Sequence, residues 1–250
     1  MHFGVILPNY GAGSSPERIR ATAETAEELG FDSVWVTEHV IVGAEAVDPY
    51  GRVYAPLPTL AWIAGFTDRI ALGTSIVLVP LHHPIHLAKE VATVQELAAR
   101  PLLLGVGMGW HRDEYDFMGI EFEGRGARAD EELRLMRTLW SGDTDFDGQR
   151  WSFRDATFAP VPSHLPEIWV GGSSERALRR ARELGDVWHP SRGSTVDHVR
   201  SVKERYPELR TVPRTTPEHA QAMLDAGAEG AVVAFADDGA IREFARAYLS

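Results

Sequence analysis

A chain of 250 residues, 44% of them hydrophobic, has enough apolar material for a large core, and barrels of this length fold as one domain. Acidic residues outnumber basic ones 36 to 25, and the formal charge of −11 opposes nonspecific binding to nucleic acid or to an anionic membrane surface. The absence of cysteine excludes disulfides and thiolate zinc sites.

The opening Met1-His2-Phe3-Gly4-Val5-Ile6-Leu7-Pro8 lacks a basic leader, and no apolar run approaches ~18 residues, so a cytoplasmic protein with no membrane partner is expected. From there, apolar runs of strand length alternate with amphipathic stretches. Strands are predicted over 3–7, 33–37, 70–79, 102–106, 167–170, 186–189, 209–212 and 231–235, the seventh being weak between Pro207 and Pro213. Helices are predicted over 16–29, 85–99, 130–140, 175–184, 217–226 and 238–248. The first has Ser15 as N-cap, Pro16 at its first position and Gly30 at its stop, with Ile19, Ala23, Ala26 and Leu29 on one face. Eight such units fit a single (β/α)8 TIM barrel spanning 1–250 better than an open doubly wound sheet, which usually stops at about five or six strands. Between the fourth and fifth strands, 141–166 reads as an excursion with a hairpin around Asp147-Gly148. Its aspartates do not make a calcium loop, because Arg154 stands where the closing glutamate belongs.

Barrel enzymes collect their working groups at the C-terminal ends of the strands. Here the first strand ends in Asn9-Tyr10, the second in Glu38-His39, the third in Thr74-Ser75-Ile76 and the fourth in Gly107-Met108-Gly109-Trp110. The glycines admit a close backbone or a flat ring, and Trp110 adds an apolar face with one donor. A dinucleotide fingerprint is excluded, since its third glycine would fall on Trp110. His39 is the candidate for proton chemistry, and because neighbours on an extended chain point opposite ways, only one of Glu38 and His39 is expected to face a pocket. Gly171-Gly172-Ser173-Ser174 opens a helix and offers N–H groups and a positive dipole end to a phosphate, with Arg176 adding charge; an ordinary serine cap is the competing reading. His82, His83 and His86 raise a metal alternative, but they read as helix-entry residues, and no metal is expected.

Taken together, these segments resemble the luciferase-like monooxygenase superfamily, and within it the coenzyme F420-dependent oxidoreductases. The resemblance is carried by Phe3-Gly4-Val5, Ser33-Val34-Trp35-Val36-Thr37-Glu38-His39, Leu72-Gly73-Thr74-Ser75-Ile76, Leu104-Gly105-Val106-Gly107-Met108-Gly109-Trp110 and Ile168-Trp169-Val170-Gly171-Gly172-Ser173. It implies a deazaflavin or flavin ring across the strand ends, a non-proline cis peptide at Ser75-Ile76 and His39 beside the reactive carbon. It also implies cofactor contacts from Thr74, Ser75, Ile76, Gly107, Met108, Gly109 and from Gly171 to Ser174 with Arg176, while Asn9, Tyr10, Trp110 and Glu114 are assigned to the substrate side. Two departures stand out. Ala98-Ala99-Arg100-Pro101 replaces a Ser-Gly-Gly-Arg turn, and Trp110 stands where sugar-phosphate dehydrogenases of this kind keep a catalytic glutamate, which argues against glucose 6-phosphate. The stretch from Arg192 to Pro213 is short, so a trimmed seventh unit is expected. The resemblance implies hydride transfer between F420 and a small organic substrate, in a chain that forms homodimers. An FMN-dependent monooxygenase and a non-catalytic F420 or flavin carrier are the alternatives.

Overall fold

The computed structural model describes residues 1–191 and 193–249; Arg192 and Ser250 lie outside the described residues. In chain order the elements are β1 (His2–Ile6), α1 (Pro16–Glu28), β2 (Ser33–Val36), the single turn α2 (Val47–Tyr50), α3 (Pro56–Ala64), β3 (Ala71–Thr74), β4 (Val77–Leu78) and α4 (Pro84–Leu97). Next come β5 (Leu103–Gly107), α5 (Arg112–Phe117), α6 (Arg125–Trp140), β6 (Phe146–Asp147), β7 (Ser152–Phe153), β8 (Glu167–Gly171) and α7 (Glu175–Leu184). The chain continues through β9 (Val187–His189), α8 (Val196–Arg205), β10 (Arg214–Thr215), α9 (Pro217–Asp225), β11 (Gly230–Val233) and α10 (Asp238–Tyr248). The main strands are parallel in the order β10-β11-β1-β2-β3-β5-β8-β9, with β4 continuing β3 along β5. Trp188 N donates to Arg210 O at 2.8 Å and Val212 N to Trp188 O at 3.0 Å, joining β9 to the segment that leads into β10 and closing the barrel.

Differences from the predicted elements have local causes. The run 70–79 is two strands, Ala71–Thr74 and Val77–Leu78, with the cis Ser75–Ile76 peptide lying between them. The seventh strand is carried past 209–212 to Arg214–Thr215, with Pro213 unable to donate between. Helix α3 is apolar nearly all round and has prolines in its first turn, so it shows no helical period; α8 is mostly charged, with only Val199 and Val202 buried. The 192–213 stretch therefore keeps a crossover helix. In the excursion, Phe146 and Asp147 pair antiparallel with Phe153 and Ser152 around the anticipated turn.

The strands face two cores. Their outward side chains, such as Val5, Val34, Leu72, Leu104 and Val170, pack under the helices, while Ile6, Trp35, Leu103, Trp169, Val187, Val212 and Val232 fill the interior. Trp35 and Trp169 meet at 4.7 Å between ring centroids, and His189 stacks on Trp35 at 5.3 Å. Gly73 makes room for this plug: a Cβ there would lie 2.5 Å from Trp35 Cε3. The interior is thus filled around His189, which leaves the C-terminal mouth as the place for a barrel enzyme's ligand.

Candidate active site

At that mouth lies a cavity of about 990 Å³ between the ends of β2, β3, β5 and β8, the start of α6 and the start of α7. His39, Tyr50 and Trp110 stand on one side, Ser75 and Ile76 on the floor, and Gly171, Gly172, Ser174 and Arg176 on the opposite wall.

Glu38 and His39 both line the cavity, although only one was expected to, and each takes a partner from elsewhere in the chain. His39 Nδ1 lies 2.9 Å from Glu114 Oε2, while Glu114 Oε1 accepts the Val40 N–H at 2.6 Å. Glu114 has no exposed surface, so its carboxylate depends on these two donors. An ionised carboxylate can only accept, which places the proton on His39 Nδ1 and leaves Nε2 for the cavity. Tyr50 holds the imidazole at 4.3 Å between centroids, and Trp110 meets it edge-on at 6.1 Å. Glu38 instead accepts the Leu78 N–H at 2.6 Å and bonds His82 Nε2 at 3.0 Å, tying β2 to β4 beyond the cis peptide. Burial pulls the His82 pKa down, but the bond to Glu38 and the charge of nearby carboxylates outweigh it and raise the pKa above the ordinary histidine value.

The floor is built around Ser75. Its N–H donates to Val36 O at 2.7 Å, its hydroxyl lies 2.9 Å from His189 Nε2, and its carbonyl accepts from Arg214 at 2.8 Å. His189 Nδ1 donates to Val212 O at 2.6 Å, so Nε2 is the acceptor for the Ser75 hydroxyl. Burial drives the His189 pKa down to about 4, and the ring is neutral at physiological pH. The glycines of β5 serve this floor directly. A Cβ on Gly105 would coincide with the Thr74 carbonyl oxygen and sit 2.9 Å from its carbon, and one on Gly107 would overlap the tip of Ile76.

On the far wall the Ser174 hydroxyl accepts the Ala177 N–H at 3.2 Å, and Gly172 turns the chain at φ +94°. The capping reading is therefore correct for the Ser174 side chain. The first N–H groups of α7 have no partner within the helix and open on the cavity beside Arg176 and Arg125. Arg179 and Arg180 share Asp130, whereas Arg176 has no carboxylate partner among the described residues. These features fit a phosphate. The floor fits a flat ring, since it is made of backbone and one aliphatic side chain kept low by glycines.

A family model described as luciferase-like monooxygenase matches residues 1–250. The chain belongs to the luciferase-like monooxygenase family. A relative in this family, an F420-dependent glucose-6-phosphate dehydrogenase of Beutenbergia cavernae, is 34% identical over 69% of the chain and 52% of its own length. An uncharacterised Mycobacterium tuberculosis protein is 31% identical over 75% of the chain and 71% of its own. Among solved structures, an F420-dependent secondary alcohol dehydrogenase in complex with an F420-acetone adduct superposes with a TM-score of 0.81, covering 98% of this chain and 97% of its own at 15% identity. The oxygenating constituent of 3,6-diketocamphane monooxygenase from Pseudomonas putida, in complex with FMN, gives 0.69 at 20% identity, over 91% of this chain and 71% of its own. At these identities the superpositions establish the luciferase-like barrel.

Within that barrel, His39, Ser75, Ile76, Gly107, Met108, Gly109, Trp110, Gly171, Gly172, Ser174 and Arg176 all line the cavity. Five assigned residues do not. Thr74 is fully buried with its hydroxyl on Gly105 O, and Ser173 is exposed outside the cavity lining. Asn9 is a clamp between strand ends, its amide taken by Thr37 N, Thr37 O and Tyr54 O. Tyr10 packs on Tyr50 and accepts from Arg214 at 3.0 Å, one layer behind the cavity wall. Glu114 stands behind His39, bonded to its Nδ1. His83 and His86 pack against each other and His83 against Trp151, and no group of three or more potential ligands is found among the described residues. The sequence reading missed Tyr50, which closes the single turn α2, too short and irregular to show a helical period. It also missed Arg214, although the strand-end rule would have found it had the seventh strand been carried past Pro213.

Proposed function

We propose that the chain is an F420-dependent oxidoreductase that moves a hydride between the deazaflavin and a small organic substrate. The observation that carries this reading is the His39–Glu114 pair, a proton-handling histidine at the edge of a ring-sized cavity with a phosphate-suited helix start on the other side. When bound, the deazaflavin supplies the hydride-carrying carbon. Ser75, Ile76 and Gly107 form the surface under the ring, and Gly171, Gly172, Ser174 and Arg176 hold the phosphate. His39 Nε2 takes or returns the proton of the substrate hydroxyl, and Glu114 stabilises the imidazolium that forms. Trp110 shapes the substrate side and, in place of a carboxylate, makes it unsuited to glucose 6-phosphate. A carrier that turned nothing over would have no use for a buried carboxylate behind His39. The preference for F420 over FMN is supported by four relatives of 31–34% identity named for F420, against one flavin-dependent monooxygenase component at 32%.

Binding of F420 and of FMN, followed by fluorescence and absorbance, tests the reading. F420 is expected to bind more tightly, and reduced F420 to be reoxidised by a ketone or similar acceptor at a rate that collapses in His39→Ala. Measurable FMN binding without F420 binding would overturn it in favour of a flavin monooxygenase.

A further inference from the structure

Arg214 lines the cavity from β10, and its surroundings are unusual for a partly buried cation. Its guanidinium reaches from β10 across the barrel to Ser75 O at 2.8 Å, Thr37 Oγ1 at 3.1 Å and Tyr10 Oη at 3.0 Å. All three are neutral acceptors. No carboxylate forms an ion pair with it among the described residues, and Nε is buried without any hydrogen-bond partner. The histidine directly beneath, His189, is bonded so as to stay neutral. A guanidinium held this way costs desolvation energy that neutral acceptors offset only in part, so the site is complete only when a negative charge arrives. The phosphate is assigned above to the start of α7 and Arg176, which leaves the charge of Arg214 for another group. The floor that Arg214 braces through the Ser75 carbonyl is the surface under the ring.

We propose that Arg214 sets the reduction potential of the bound cofactor, its uncompensated charge favouring the reduced state. This inference rests on the cofactor reading above. In flavins and deazaflavins alike, uptake of a hydride leaves negative charge on the pyrimidine part of the ring. A fixed cation nearby in a site of reduced dielectric is then worth at least about tenfold in relative affinity. The protein would bind the reduced cofactor more tightly than the oxidised form and so assist oxidation of the substrate.

The test is the midpoint potential of the cofactor bound to the full-length protein, paired with anaerobic dissociation constants for its oxidised and reduced forms. In the wild type the bound potential should lie above that of the free cofactor. Arg214→Gln, which keeps a donor for Ser75 O but no charge, should lower it by about 30 mV, equivalent to a tenfold change in the affinity ratio for a two-electron couple. Arg214→Lys should stay near the wild type. A wild-type potential at or below the free value overturns the proposal without recourse to any variant. An unmoved potential in Arg214→Gln, with affinity lost only for carboxylate-bearing substrates, overturns it in favour of a substrate anchor. Failure of the wild type to bind either F420 or FMN is a different result, and strikes the cofactor reading itself.

Discussion

Two glycines on the same face of β5, two residues apart, should fail in different ways when given a methyl group. At Gly105 the added Cβ meets the carbonyl of Thr74, with the carbon itself 2.9 Å away. That group is backbone and belongs to the strand leading into the floor, so it can move only if β3 moves. Overpacking of a well-filled interior costs about 1–3 kcal/mol and more where no side chain can yield. Gly105→Ala is therefore expected to cost at least about 3 kcal/mol, a drop in Tm of roughly 6–12 °C for a domain of this size. At Gly107 the obstacle is the tip of Ile76, whose Cγ1 lies 3.2 Å from the new atom. That side chain can rotate, but the open direction is the cavity. Gly107→Ala should lose about 1 kcal/mol of stability while weakening cofactor binding at least about tenfold. Thermal melting of the two apo variants and fluorescence titration with F420 separate the two effects. Equal melting of Gly105→Ala and wild type, or full affinity in a Gly107→Ala protein that is badly destabilised, would refute the assignment of the two glycines.

Glu114→Gln should leave cofactor affinity within about twofold while lowering kcat on the order of 100-fold, because the amide no longer stabilises an imidazolium at His39; steady-state kinetics beside cofactor titration would show the split, and an unchanged kcat would count against the pair. Glu132, on α6, is almost fully buried, and burial raises its pKa from 4.5 to about 7, despite the charge of Arg128. The folded state then holds a proton that the unfolded chain releases, so this contribution to stability is complete below about pH 4.5 and is lost as the pH rises through about 7, by up to about 3 kcal/mol. Urea unfolding at several pH values should show that slope in the wild type and its loss in Glu132→Gln; parallel curves would refute it. Trp35→Leu empties the barrel plug and should cost about 3–5 kcal/mol in chemical unfolding, with a cost under 1 kcal/mol arguing that the plug is not tightly packed.

Much of this protein is determined by its sequence alone. Alternating apolar runs and capped helices specify parallel strands joined by crossovers, because each run can be buried on both faces only if helices cover one side. The strand-end rule then collects His39, Ser75, Trp110 and Gly171 before any coordinates are seen. Tertiary structure decided which polar groups meet. Glu114 is 75 residues from His39 and Arg214 is 139 from Ser75, and no periodicity records such pairings. It also decided what the glycines of β5 are for: they make room first for the carbonyl of Thr74 and the side chain of Ile76, and only through them for a ring. The reason is physical. Local sequence sets backbone preference and burial, whereas the partner of a buried charge is whatever the closed barrel brings within about 3 Å, since a charge left unpaired there would be too costly to keep.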